Sequence, residues 1–321
     1  MATQSSVPRV VAGVDVGGTK TLALLVAVDA DGTPVVVDRE QVPSDANSPE
    51  VVGSIVDALG AVLARASTPV ERVGVGLAGL VDLTGVVRRA PNSAGLNDVD
   101  VVGAVSAAVG LPVVTDNDAN CVAVAARALL APDAQHLVAV TLGTGIGGGL
   151  VVDGQLVRGA MGFAGEPGHM VVDRNGVPCP CGQRGCWERY ASGTALGRLG
   201  REAAEAGRGT SLVTAAGSVE QITGEHVTTL AAAEDPEAVV VLDEFADNVA
   251  LGLANLLVVL DPEVVVVGGG VIAAGERLLA RVRSTLATEY PHAVDRRNVQ
   301  VLGSPGGPEA GALGAALIAA G

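Results

Sequence analysis

The sequence predicts an α/β protein of two similar lobes, each a mostly parallel sheet covered by helices, facing each other across a cleft. Three observations carry this. Short apolar strands alternate with helix-like stretches along the whole chain. A glycine-bearing hairpin occurs twice, as "DVGGTKT" at 15–21 and "LGTGIGGG" at 142–149, and the same order of elements follows each one. The length, 321 residues, exceeds what one core usually supports.

The first copy begins with residues 9–42, which read as three β segments joined by glycine turns, the first turn at Gly17 and Gly18. A helix follows over 49–66, then the strand "ERVGVGLAG", a helix over 99–109, the strand "LPVVTDNDA" and the helix "ANCVAVAARALL". The order is β-β-β-α-β-α-β-α. From His136 the pattern returns as strand, glycine hairpin, strand and short strand, interrupted by an insertion over 160–190. Helices after Ser192, the strand "PEVVVVGGGV", a helix from about 275, the strand "NVQVLG" and a last helix from 308 complete the second copy. No linker separates the halves, so the repeat alone divides the chain into lobes over 1–117 and 118–304. The C-terminal segment 305–321 is expected to complete the first lobe.

Composition restricts the function classes. A net charge of −15, from 35 acidic and 20 basic side chains with no basic cluster, repels a phosphate backbone and argues against nucleic acid. Apolar runs are broken by glycine and charge before they reach spanning length, which argues against a membrane partner. The start lacks a basic region followed by a clean apolar stretch and a cleavage site, so a cytoplasmic location is expected. Lys20 is the only lysine beside 19 arginines, and a compact point charge suits a crowded phosphate site.

Glycine lets backbone N–H groups approach an oxyanion, and threonine hydroxyls add donors. Gly17, Gly18, Thr19 and Lys20 in the first hairpin, and Thr144, Gly145 and Gly147 in the second, are therefore candidate clamps for a polyphosphate, with Gly268 and Gly269 after a third apolar strand. A strand follows each hairpin, which excludes a Rossmann fingerprint, and no GxxxxGKS is present. Asp15, at the end of the first strand, is placed to hold Mg²⁺ through water. Glycine also serves simply to make tight turns, and an aspartate there is an ordinary turn residue; the duplication favours the nucleotide.

In this order and at these intervals, "DVGGTK", "TLGTGIGGG", "GEPGH" and "CPCGQRGCWERYASG" resemble the ROK family of sugar kinases and repressors, particularly its bacterial glucokinases. The resemblance covers essentially the whole chain. It implies an actin-like, ribonuclease H-like ATPase fold with a zinc-containing insertion in the second lobe, and phosphate transfer from ATP to a sugar hydroxyl. It also suggests a homodimer.

The insertion supplies His169, Cys179, Cys181 and Cys186, one imidazole and three thiols, the ligand set of a tetrahedral zinc site. Clustered thiols in a reducing compartment are more often metal ligands than disulfides. Four protein ligands fill the coordination sphere, so the ion is expected to be a structural clip. Cys121 stands apart in a helix as an ordinary buried thiol. By match to the family, Glu166, His169 and Glu188 bind sugar hydroxyls, with Gly79, Asn92 and Asn117 as further sugar contacts. By the same match Asp118 is the general base for attack by the primary hydroxyl on ATP. A bland role for Asp118 is the N-cap of a helix starting at Ala119. With five aromatic residues in the chain, a stacking platform for the sugar is not expected and recognition rests on polar groups.

Glucose is the expected acceptor, with N-acetylglucosamine, N-acetylmannosamine or fructose as alternatives, because Pro167 and the loop 93–98 depart from the glucokinase pattern beside the pocket. A sugar-responsive repressor is the rival from another class. It is disfavoured because such proteins carry a helix-turn-helix ahead of the core, and 14 residues precede Asp15.

Overall fold

Two sheets with one strand order frame the protein. The computed structural model describes residues 8–90, 93–294, 299–304 and 309–321. The first sheet contains β1 (Arg9–Val16), β2 (Lys20–Val28), β3 (Pro34–Pro43), β4 (Val73–Leu77) and β7 (Val113–Asn117), while β5 (Leu80–Val81) and β6 (Val87–Arg89) form a separate small hairpin. The second sheet contains β8 (Leu137–Leu142), β9 (Ile146–Val152), β10 (Gln155–Leu156), β11 (Val264–Gly268) and β12 (Gln300–Gly303). The orders are β3-β2-β1-β4-β7 and β10-β9-β8-β11-β12, so each sheet places its third, second, first, fourth and fifth strands side by side. In both, the first three strands are antiparallel and the last two run parallel to the first. The expected duplication is thus the observed architecture; among the described strands, only the β5–β6 hairpin was not foreseen.

Burial explains the strand sequences. β4 and β11 are buried along their whole length and read as unbroken apolar runs, as strands covered on both faces should. β3, at an edge, is largely exposed and carries charge. Helices α1 (Val51–Arg65) and α2 (Val101–Val109) cover one face of the first sheet with Ile55, Leu59, Val101 and Val105. Helix α3 (Asp118–Leu130) leaves β7 and crosses to the second sheet, where Ala123 and Ala126 pack with Leu137, Ala139 and Val266.

The second sheet is covered by α4 (Glu188–Ala191), α5 (Gly193–Glu205), α6 (Thr210–Ala216), α7 (Gly224–Ala232), the long α8 (Pro236–Leu260), α9 (Glu276–Glu289) and α10 (Pro291–Val294). Asp235 caps α8, its carboxylate accepting from the Glu237 and Ala238 N–H groups. The last helix, α11 (Glu309–Ala320), follows β12 of the second sheet yet packs on β1 of the first, with Ala312 and Ala316 beside Val11 and Leu24. α3 and α11 therefore lie together between the sheets. Their approach requires small residues: a Cβ on Gly13, Gly74 or Gly314 would collide with the backbone of Ala312, Ala315 or Cys121. No described helix is long and apolar enough to cross a membrane.

Candidate active site

The turn from β7 into α3 links the parts of the site: the Asp118 charge is felt at Asp15 of β1, and Gly147 of the second hairpin packs against Ala119. In the first hairpin, the Gly17 N–H donates to the Lys20 carbonyl at 2.9 Å, and nothing lies near the space a Gly18 side chain would take. The following segment braces this turn, Ser44 N–H and Ala46 N–H donating to the Thr19 and Gly18 carbonyls. Asp15 ends β1 against α11, where Gly311 leaves room for its carboxylate.

Asn117 and Asp118 sit where β7 turns into α3. The N-cap is Asn117, not Asp118: its backbone is extended, and its Oδ1 accepts from the Ala119 and Asn120 N–H groups at 2.9 and 3.2 Å. Its Nδ2 donates to the Gly79 carbonyl at 3.0 Å, which joins two of the expected sugar contacts directly. The cap being taken, Asp118 is the first residue of the helix, and its carboxyl is held by the Ala119 N–H at 2.9 Å. Asn92 lies outside the described residues.

Three carboxyl groups share the cleft. Burial pushes Asp118 up to about 6. Burial, with the Asp118 charge added, pushes Asp15 up to about 7, against the pull of Lys20. Burial, then Asp118 and Glu188, push Glu166 up to about 7. Asp118 is thus felt both by the residue beside the first hairpin and by the residue beside the cysteine-bearing segment. Poised carboxyls of this kind mark candidate acid–base sites.

In the segment 166–190, the ligand atoms of His169, Cys179, Cys181 and Cys186 lie within 4.8 Å of one another. The Cys181 and Cys186 sulfurs are 3.6 Å apart, close to the ~3.8 Å set by two thiolates about 2.3 Å from one tetrahedral ion. His169 Nδ1 is buried without a hydrogen-bond partner. The donor set and the orphaned nitrogen fit a metal ion. Trp187, fully buried, anchors the segment: its indole N–H donates to the Asn248 carbonyl at 2.8 Å, and its ring fills the space beside Gly252 of α8.

Glu188 connects this segment to the second hairpin. Its Oε2 accepts the Ile146 N–H at 3.0 Å and occupies the place of a Gly145 side chain. The other glycines of the run serve packing. Gly147 and Gly149 admit Ala119 and Ala123 of α3, and Gly148 admits Pro167. Gly143 is open, and with Thr144 it lines a cavity of about 760 Å³ that continues past Gly193, Thr194, Gly224 and Gly270. This volume suits a small-molecule ligand of nucleotide size.

Residues 11–321 match the ROK family. The chain belongs to that family. It is similar to a glucokinase of Streptomyces coelicolor, 35% identical over 314 residues that cover 96% of each protein. A glucokinase of Thermotoga maritima is 34% identical over 308 residues, 95% of this chain and 96% of the relative. Among solved structures, the ROK family glucokinase of Streptomyces griseus in complex with glucose and AMPPNP gives a TM-score of 0.85 at 36% identity, covering 97% of this chain and 99% of that one.

The two-lobed actin-like architecture is therefore shared across the ROK chain. Within it, Gly268 and Gly269 do not line the cavity: Gly268 packs beside Ser304 and Val122, and Gly269, at φ +85°, passes over the backbone of Leu142. Gly270 lines it instead. The far wall, Arg201 with Thr223, Glu225, Thr228 and Thr229 at the start of α7, was not found from sequence. The usable signal was weak, a threonine and glycine at a helix start with no repeat to mark them.

Proposed function

We propose that this ROK protein phosphorylates a hexose at its primary hydroxyl with ATP, that glucose is the preferred acceptor, and that Asp118 is the general base. The observation that carries this reading is the placement of Asp118 as the first residue of α3, its carboxylate on the Ala119 N–H, directly after Asn117, whose side chain caps the helix and donates to the Gly79 carbonyl. A base is needed at that position, between the phosphate donor and the sugar. The glucokinase relatives and the complex of glucose with AMPPNP supply the identities of acceptor and donor.

In this reading the cavity beside Thr144 takes the nucleoside, and the open backbone at Gly18 and Gly143 faces the phosphates. Asp118 takes the proton from the hydroxyl oxygen as that oxygen attacks the γ-phosphorus in line and the bond to the bridging oxygen of ADP breaks. Asp15 is the residue to hold magnesium. Burial and the Asp118 charge push this carboxyl up to about 7 even with Lys20 opposing them, so further positive charge beside it is favourable and the site fits a cation. Magnesium, when bound, supplies positive charge against the phosphates. His169, Cys179, Cys181 and Cys186 are the residues to hold zinc, which supplies a cross-link and, with four protein ligands, leaves no position for water. Glu166 and Glu188 then orient the sugar, and Asn117 has one amide hydrogen left for it.

ADP release measured with glucose, N-acetylglucosamine, N-acetylmannosamine, mannose and fructose tests the proposal. The highest kcat/KM is expected with glucose. A higher value for an N-acetylated sugar removes glucose as the preferred acceptor, and no ADP release with any hexose removes the kinase.

A further inference from the structure

Asp116, two residues before the proposed base, is almost fully buried and pairs with a residue of the other lobe. Its Oδ2 accepts from Arg158 Nε at 2.7 Å. Its Oδ1 accepts from the Asn117 N–H at 2.8 Å and from Asn120 Nδ2 at 2.7 Å. The Asp116 side chain is 6% exposed and that of Arg158 40% exposed. The carboxylate thus ties down both ends of the turn that carries Asp118 and is itself held by one guanidinium.

Arg158 belongs to the second lobe. It follows β10 and opens the loop that runs to Glu166, and its carbonyl accepts from the Ala164 N–H at 3.1 Å within that loop. The same loop meets the first lobe a second time at Gly162, whose φ of +92° and missing side chain let it lie against Val81 and Asp82. The loop ending at Glu166 therefore contacts the first lobe both at the catalytic turn and at the β5–β6 hairpin.

We infer that Arg158 is a positioning residue: its pair with Asp116 locks the loop carrying Glu166 to the turn carrying Asp118, so that acceptor site and base keep one geometry across the lobes. The inference rests on the sugar and base roles proposed for Glu166 and Asp118. A pair that served only stability would be replaceable by neutral groups of similar size, because exchanging both partners leaves no unmatched charge at the buried Asp116 position. A positioning pair is not replaceable in this way, since small displacements of reacting groups cost about 100-fold in rate.

The test compares Arg158→Gln, Asp116→Asn and the double variant by thermal melting and by kcat and KM for glucose. Arg158→Gln is expected to lower the Tm and to reduce kcat by about 10- to 100-fold. The double variant is expected to regain the Tm but not kcat. Recovery of kcat to within about threefold in the double variant, or kcat within about threefold in Arg158→Gln, overturns the inference. If neither folds, Arg158→Lys is read: reduced kcat at an unchanged Tm supports the pin, and unchanged kcat overturns it. Asp118→Asn is measured alongside. If that variant retains turnover, the base assignment fails; if it is inactive while the Arg158 variants are not, only the pin fails.

Discussion

Glu188 reaches from the cysteine-bearing segment to the second hairpin, its Oε2 accepting the Ile146 N–H at 3.0 Å. One carboxylate thereby joins a proposed sugar ligand to the turn proposed to face phosphate. The segment that positions it is pinned by Trp187 against α8. Fixing the clip fixes the hairpin.

Gly145→Ala tests this link. The new methyl group would collide with Glu188 Oε2 and push apart the carboxylate and the hairpin. We expect kcat/KM to fall by about 100-fold for glucose and for ATP alike, with a modest change in Tm. Steady-state kinetics with each substrate varied would show it.

The pH profile should report Asp118. A general base must be ionised, and burial holds this one near 6, while Asp15 and Glu166 lie near 7, so kcat/KM should be level above about 8 and fall by tenfold per unit or more below about 6. Asp118→Asn should cost about 10²- to 10⁴-fold and remove the contribution near 6 to the acid limb. A profile that keeps this contribution in that variant assigns the titration elsewhere.

Stability should run the other way. Asp15, Asp118 and Glu166 are raised above the ordinary carboxyl values near 4, so the folded chain binds protons that the unfolded chain has released. Their stabilising contribution is complete at low pH and is lost as pH rises through about 6 to 7. Asp118→Asn should therefore gain Tm relative to the parent chain at pH 8 and progressively less toward pH 4, where the unfolded carboxyl is itself protonated, which calorimetry on the ligand-free protein can measure.

Removal of the proposed zinc should unlock Trp187. The chelator-treated protein is expected to melt several degrees lower, with tryptophan emission shifted to the red as the ring leaves its buried place beside Gly252. Restoring zinc should reverse both changes, and magnesium alone should not.

Gly74→Ala should be among the most damaging exchanges far from ligand. Its methyl group would meet the Ala315 carbonyl at the contact between β4 and α11, where backbone rather than a movable side chain blocks it. A loss of about 3 kcal/mol or more is expected. Urea denaturation would measure it.

Much of this was legible in the linear chain. The apolar runs of β1, β4 and β11 and the amphipathic stretches of α1 and α2 gave the element order, because local periodicity reports which faces are covered. His169, Cys179, Cys181 and Cys186 stood out since metal ligands are few in kind and crowd together in sequence. The glycines of the second hairpin were readable only in part. Their number marked a turn, but nothing local says that Gly147 and Gly149 admit α3 while Gly143 stays open.

Chain order alone therefore marked the repeat, the family and the cluster of candidate metal ligands, each from the spacing of residues along the chain. The folded molecule decided the rest: that Asn117 rather than Asp118 caps α3, that Gly147 and Gly149 make room for α3, and that Arg158 meets Asp116 across 42 residues. Such choices depend on which surfaces come into contact once both sheets have formed. Two residues distant in sequence carry no mark of each other until packing removes water from between them.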